Sequence, residues 1–348
     1  MSGDFDTFET ELETPGDDGF RAIGKPIRRK EDHRLLTGAG AFSDDFSLEG
    51  QVHAIMVRSP HPHAKILGVN KDAALAMPGV LGVYTGADCL ADGLVPIPHS
   101  PVPSTKFDMK LTGPGGAKVF DGPNMLLVTD RARHVGEAVV MVVAETKAQA
   151  MDAAELVEVD YEELPWVLHS EDAIEAGAPS VWDEATDNIL VDTTFGDVAA
   201  TDLAFDAADH VFKREFNIGR VTGVPMEPRA ALGDYNCETG RYTLYAGSGG
   251  AVRQKGEMAA VLGVDREKIR VLSYDVGGNF GTRNRIYVEF GLVLWASEKL
   301  KRPVKYLATR SEAFLSDYQG RDLVSRVELA LKKDGTFLAM RATNISNV

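Results

Sequence analysis

Asp275-Val276-Gly277-Gly278-Asn279-Phe280-Gly281-Thr282-Arg283-Asn284 is the stretch on which the reading of this chain turns. It follows an apolar, β-branched run from Ile269 to Val276 and leads into Ile286, Val288 and an apolar segment through Trp295. That order predicts a strand, a tight glycine turn and a helix. Glycine adopts backbone angles closed to other residues, and a helix mouth with bare amides favours an anionic ligand. Phe280, the one bulky residue among the glycines, is expected to pack against a neighbour. A purely structural strand-to-helix turn accounts for the same residues. The rest of the chain has to decide between them.

Working towards the C-terminus, Val304-Lys305-Tyr306-Leu307 and Leu323 to Leu331 read as strands. Lys332-Lys333-Asp334-Gly335-Thr336 reads as a hairpin turn, with Asp-Gly the expected turn chemistry, and Phe337 to Ile345 as the returning strand. The chain stops soon after without a cap or linker, and an incomplete last domain is expected. Working towards the N-terminus, Val252 to Leu262 is a predicted helix ended by Gly263, preceded by strands over Arg241 to Ala246 and Asp209 to Ile218. Gly247-Ser248-Gly249-Gly250 lacks the Lys-Ser/Thr ending of a phosphate loop and reads as the turn before that helix.

The first half alternates short strands and helices: strands at Val52 to Arg58, Ala64 to Val69, Val80 to Thr85, Val135 to Ala144 and Val157 to Tyr161, with helices at Asp72 to Met77 and, capped by Thr146, Lys147 to Leu156. A long Pro- and Gly-rich loop is expected between Ala91 and Pro123. The fold class is therefore α+β. The domain reading is an acidic tail over 1–22, an α+β domain over 23–168, a connector over 169–200 and a second domain over 201–348.

Composition narrows the function classes. The 348 residues carry a net charge of −15, which disfavours nucleic-acid phosphates and acidic membranes as partners. Cys89 and Cys237, the only two cysteines, make neither a disulfide framework nor an iron–sulfur or zinc site. No stretch reaches the length of a membrane span, and the acidic start is unlike a signal peptide, so a cytoplasmic location is expected. His61 and His63 flank Pro62 but have no third ligand in view, and no metal site is assigned to them. Glu227 is read either as lining a site or as a salt-bridge partner of Arg229.

Several motifs in order carry a family resemblance. They are Gly24-Lys25-Pro26-Ile27-Arg28-Arg29 with Leu36-Thr37-Gly38, Arg58-Ser59-Pro60-His61-Pro62-His63-Ala64-Lys65-Ile66, Met77-Pro78-Gly79-Val80, Val135-Gly136-Glu137, Val159-Asp160-Tyr161-Glu162-Glu163-Leu164-Pro165, Met226-Glu227-Pro228-Arg229 and the glycine turn. From about Ile23 onward the chain resembles the molybdenum-binding large subunit of the xanthine dehydrogenase, aldehyde oxidase and carbon monoxide dehydrogenase family. The resemblance implies an a/b hammerhead domain followed by the first, incomplete part of the molybdenum cofactor-binding domain.

It also implies hydroxylation of a carbon centre with a water-derived oxygen, with electrons leaving through iron–sulfur clusters to flavin. The cofactor would be molybdenum-molybdopterin, in its cytosine dinucleotide form. Expected partners are a 2Fe-2S small subunit, an FAD-binding medium subunit and a chain supplying the C-terminal molybdenum domain. Carried over by position, Phe280 and Gly281 contact the cofactor, Gly278 supports the turn and Asn284 neighbours the substrate. The general-base glutamate is expected in the C-terminal half, so no residue here takes that role. Asn279 stands where the family has a third glycine, and Asn284 where purine-oxidising members have a glutamate. An amide cannot ionise, and xanthine-type substrates are disfavoured. A non-catalytic interaction module or a truncated remnant that keeps the fold is the alternative.

Overall fold

The computed structural model describes residues 28–99 and 105–347. The acidic tail over 1–22 and the expected start of order at Ile23 lie outside them. Residues 28–41 belong to a separate small unit, and among its described residues is a short helix, α1 (Asp32–Leu36). There Arg29 Nε donates to Asp32 Oδ1 at 2.8 Å.

The large unit runs from Phe42. Its first part contains β1 (Val52–Arg58), β2 (Ala64–Asn70), α2 (Asp72–Leu75), β3 (Val80–Thr85), α3 (Gly86–Ala91), β4 (Arg131–Ala132), β5 (Ala138–Ala144), α4 (Lys147–Ala154) and β6 (Glu158–Glu163). These elements follow the sequence closely. Thr146 accepts from Gln149 N at 3.2 Å, and Gln149 Oε1 accepts from Thr146 N at 3.1 Å, a reciprocal capping box that fixes the start of α4. β5 begins at Ala138 rather than Val135, because Gly136 turns the chain with φ +91°. The stretch from 105 to 123 is irregular apart from a 3-10 turn at Pro114–Gly116.

The second part adds α5 (Ser170–Ala173), α6 (Val198–Asp206), β7 (His210–Ile218), β8 (Val221–Thr222), β9 (Ala230–Asn236), β10 (Arg241–Ala246), α7 (Ala251–Leu262), β11 (Ile269–Leu272), α8 (Val288–Leu300), β12 (Val304–Leu307), α9 (Arg310–Ser316), β13 (Gln319–Gly320), β14 (Leu323–Leu331) and β15 (Phe337–Ser346). Among these, β9, α6 and α9 are not legible from periodicity. β9 reads Ala-Ala-Leu-Gly-Asp-Tyr-Asn, with no alternation and few β-branched residues, yet four of its residues are buried. Tertiary packing overrides its weak strand propensity.

A mixed seven-stranded sheet in the order β11-β10-β9-β12-β1-β5-β3 passes through both parts of the unit. The join is the parallel pair β1–β12, with Val52 opposite Val304 and Ala54 opposite Tyr306. β5, Ala-Val-Val-Met-Val-Val-Ala, is buried throughout because both faces are covered. Met141 and Val143 face the core made with α7 and α8, while Val140 and Val142 face α2, α4 and the small sheet β4-β2-β6. A third sheet, β15-β14-β7, carries the Asp334-Gly335 hairpin.

α8 lies so close to β9 that a Cβ on Gly233 would sit 2.7 Å from the Val293 carbonyl carbon and oxygen. Backbone cannot give way as a side-chain tip can. Gly233→Ala is expected to cost about 1–3 kcal/mol through overpacking. Urea unfolding of the purified variant checks this, and an unchanged midpoint would show that the two elements separate freely.

Candidate functional site

The glycine turn is built on a carboxylate. Glu227 Oε2 accepts from Gly277 N at 2.7 Å and from Arg283 Nη1 at 2.6 Å, and Glu227 Oε1 accepts from Ser43 N at 3.0 Å. Arg283 Nη2 also donates to the Glu227 carbonyl. The pair is nearly out of solvent, with side chains 4% and 10% exposed for Arg283 and Glu227. Burial of a matched, multiply hydrogen-bonded pair holds both ends of the turn in one geometry. Glu227 therefore pairs with Arg283, and not with its near neighbour Arg229.

Within the turn, Asn279 Oδ1 accepts from Gly281 N at 3.0 Å and from Arg283 N at 3.2 Å. Asn279 Nδ2 donates to Asn284 Oδ1 at 3.1 Å. Gly278 takes φ +118°, which an L side chain rarely adopts. Phe280 takes φ +51° and is 78% exposed, so the expected packing of its ring is not what the turn provides. A left-handed residue on a projecting corner aims its side chain outward. The strand before the turn ends at Leu272, and α8 starts only at Val288. The turn is thus separated from the helix mouth it was expected to form.

The helix that does open at this site is α7. Gly249 N donates to Arg283 O at 2.8 Å, which lays the loop Gly247-Ser248-Gly249-Gly250 against the glycine turn. A Cβ on Gly249 would displace the Asn284 and Asn279 side-chain amides from their present positions. Gly250 is the N-cap of α7, with no side-chain cap and no acidic residue in the first turn. Such a helix start suits an anion. Gln254, fully buried on α7, donates through Nε2 to Arg283 O at 3.5 Å and Arg285 O at 3.4 Å. Its Oε1 has no hydrogen-bond partner among the described residues.

A second polar centre lies deeper. Glu289, in the first turn of α8 and fully buried, receives Arg58 Nη2 and, at 3.0 Å, Arg229 Nη2. Arg58 Nε also donates to Glu312 at 2.7 Å, and Arg229 pairs with Asp317 and donates to Ser316 Oγ at 2.8 Å. The Arg229 guanidinium stacks 4.2 Å from the Tyr287 ring centroid. Burial alone would push the Glu289 carboxyl up, but Arg229 and Arg58 overturn that and draw it down to about 2. The same burial would lower both guanidiniums, and Glu289 holds them above their ordinary value.

Sequence reasoning missed this centre. Its signal is Glu289 itself, a lone acid inside the apolar run from Ile286 to Trp295. A carboxylate in such a run is tolerated only with a buried cationic partner. The remaining candidates lie apart. His63 is buried with Nδ1 against Pro165 O at 2.9 Å, and His61 Nδ1 lies 3.6 Å from Glu163. Cys89 is buried, its thiol pushed up to about 12 by burial, and Cys237 is exposed.

Comparison with known proteins gives this arrangement a family. Residues 37–165 match the aldehyde oxidase and xanthine dehydrogenase a/b hammerhead domain, and residues 181–348 match the molybdopterin cofactor-binding domain. The nicotine 6-hydroxylase large subunit of Paenarthrobacter nicotinovorans is 36% identical over 92% of this chain and 37% of its own length. The carbon monoxide dehydrogenase large chain of Hydrogenophaga pseudoflava is 29% identical over 91% of this chain and 39% of its own. Quinoline 2-oxidoreductase from Pseudomonas putida 86 superposes with a TM-score of 0.81 at 32% identity, over 93% of this chain and 39% of that one. This chain thus spans under two-fifths of the length of these relatives. With both domains in order and a matching fold, the chain belongs to the xanthine dehydrogenase and aldehyde oxidase family of molybdenum hydroxylase large subunits, of which it carries the hammerhead and a molybdopterin cofactor-binding domain.

Proposed function

We propose that the paired glycine segments 247–250 and 277–284 hold one side of a molybdopterin cofactor, in its cytosine dinucleotide form, and that this chain supplies part of a hydroxylase active site. The observation that carries the reading is the close seating of two glycine-rich backbones, locked by Glu227 and Arg283 and opening at the uncapped start of α7. A phosphate-bearing, planar, hydrogen-bonding cofactor fits such a surface. The α7 amides suit its phosphates, the orphaned Gln254 Oε1 is an acceptor near the turn, and the exposed Phe280–Gly281 corner offers backbone and an aromatic edge. Gly278 permits the turn.

When bound, the cofactor supplies two-electron chemistry in which a carbon–hydrogen bond is exchanged for a carbon–oxygen bond with water as the oxygen source. This chain binds and orients. Its partners are the remainder of the large subunit, which carries the general-base glutamate, a 2Fe-2S small subunit and an FAD-binding medium subunit, all in the cytoplasm. Among the described residues, no helix is long and apolar enough to cross a membrane. Asn284, a neutral hydrogen-bonding group beside the turn, fits a neutral substrate. The names of the nicotine- and quinoline-oxidising relatives favour a pyridine- or quinoline-type ring over a purine.

One observation favours the alternative, a non-catalytic module. The Gly281 amide already has a partner in Asn279 Oδ1 and would have to exchange it to meet a cofactor. Expression alone and with the rest of the large subunit separates the readings. The isolated chain is expected to hold no stoichiometric molybdenum and to oxidise no aldehyde, and the assembled subunit to contain metal and pterin. Metal and activity in the isolated chain would overturn the shared-site proposal. An assembled subunit free of pterin would favour the module.

A further inference from the structure

The sheet β15-β14-β7 has two chemically different faces, as strand alternation requires. One face carries Lys213, Glu215, Arg326, Glu328 and Arg341 in cross-strand ion pairs. α6 and α5 touch that face: Arg341 stacks 4.3 Å from the Phe205 ring of α6, and Arg326 pairs with Glu171 of α5. The opposite face is mostly apolar, with Arg214 set between Phe212 and Phe216 and opposite Val327. Phe212, Phe216 and Ile218 of β7 stand opposite Leu329, Ser325 and Leu323 of β14, and Leu329 stands opposite Met340 of β15. Phe212 is 58%, Phe216 49% and Met340 65% exposed.

We infer that this apolar face is the docking surface for the remainder of the large subunit. Two observations select that occupant over others. This chain covers only 39% and 40% of two matched structures, so most of their mass lies outside the part it matches. The chain path also links this sheet to the candidate site. From Ile218 the chain passes Arg220, which bonds Asp322 at 2.7 Å, then β8, which pairs with β13. Gly223 follows, so near the glycine turn that a Cβ there would lie 2.7 Å from Thr282 Cγ2. Val221, Met226 and Phe280 along this path are exposed apolar residues. A body seated on the sheet meets the glycine turn at its edge, as a two-part site requires. Contiguous exposed apolar surface of this kind marks a protein contact.

The inference rests on the two-part reading above, and one experiment separates their failures. The chain is expressed with the remainder of the large subunit, on the same polypeptide or in trans, and footprinted by hydroxyl radicals beside the isolated chain. Oxidation of Met340, Phe212 and Phe216 is expected to slow by about tenfold in the complex, a change of state that burial of an interface produces. Phe212→Glu with Phe216→Glu is expected to weaken association, while Lys213→Ala on the charged face leaves it unchanged. A molybdenum-containing complex with unprotected Met340 would overturn the docking face and leave the functional reading standing. Protection in a complex that holds no pterin would uphold the face and sink the functional reading. Protection already present in an isolated chain of doubled mass would assign the face to a second copy and overturn the inference.

Discussion

Arg229→Ala is expected to destabilise the large unit by about 3–5 kcal/mol, the scale of breaking one side of a buried ion pair. The guanidinium is 2% exposed and serves Glu289, Asp317 and Ser316. Removing it strands two buried carboxylates, of which Glu289 keeps only Arg58. The damage reaches beyond one element, because Arg58 ends β1, Glu289 starts α8, Glu312 lies on α9 and Asp317 directly follows that helix. Urea unfolding near neutral pH is the measurement, and a loss below about 1 kcal/mol would show that the network is not what ties these elements together.

The same centre sets a pH dependence. Glu289 titrates lower folded, at about 2, than its ordinary 4.5, so the folded state binds fewer protons. Its contribution, on the order of 3 kcal/mol, is fully present above about pH 4.5 and is lost as pH falls towards 2. Glu289→Gln cannot titrate there. The stability difference between wild type and Glu289→Gln should therefore hold steady above pH 5 and shrink below it. A constant difference down to pH 3 would contradict the assignment.

Glu227→Ala is expected to have the second largest effect, and it separates structure from binding. The substitution removes the acceptor of Gly277 N, Ser43 N and Arg283 Nη1 together and leaves a buried guanidinium with only a backbone carbonyl. A cost of about 3 kcal/mol follows from uncovering a buried cation. Glu227→Gln keeps an oxygen acceptor and should lose less. In the assembled subunit, pterin recovered by fluorescence after oxidative release should fall sharply in Glu227→Ala and partly in Glu227→Gln. Wild-type pterin content in Glu227→Ala would remove Gly278, Phe280 and Gly281 from the cofactor site.

Much of the fold was legible because the signals are local. The all-apolar β5, the Thr146 cap, the Asp334-Gly335 turn and the apolar run of α8 each state their structure within a few residues. β9 was not, since its burial comes from α8 lying against Gly233, a contact between residues 60 positions apart by number. The glycine turn was legible as a turn but not in its geometry. Nothing local to Phe280 says that its ring faces outward, or that Asn279 occupies the Gly281 amide.

By itself the sequence determined the family and most of the strands and helices, β9, α6 and α9 apart, because hydrophobic period, caps and turn residues act over short range. Only the tertiary structure decided the partners of the charges. Glu227 took Arg283 rather than the adjacent Arg229, and Arg229 went to Glu289 and Asp317. A buried charge is stable only beside its counter-charge in space, and distance along the chain does not set that pairing.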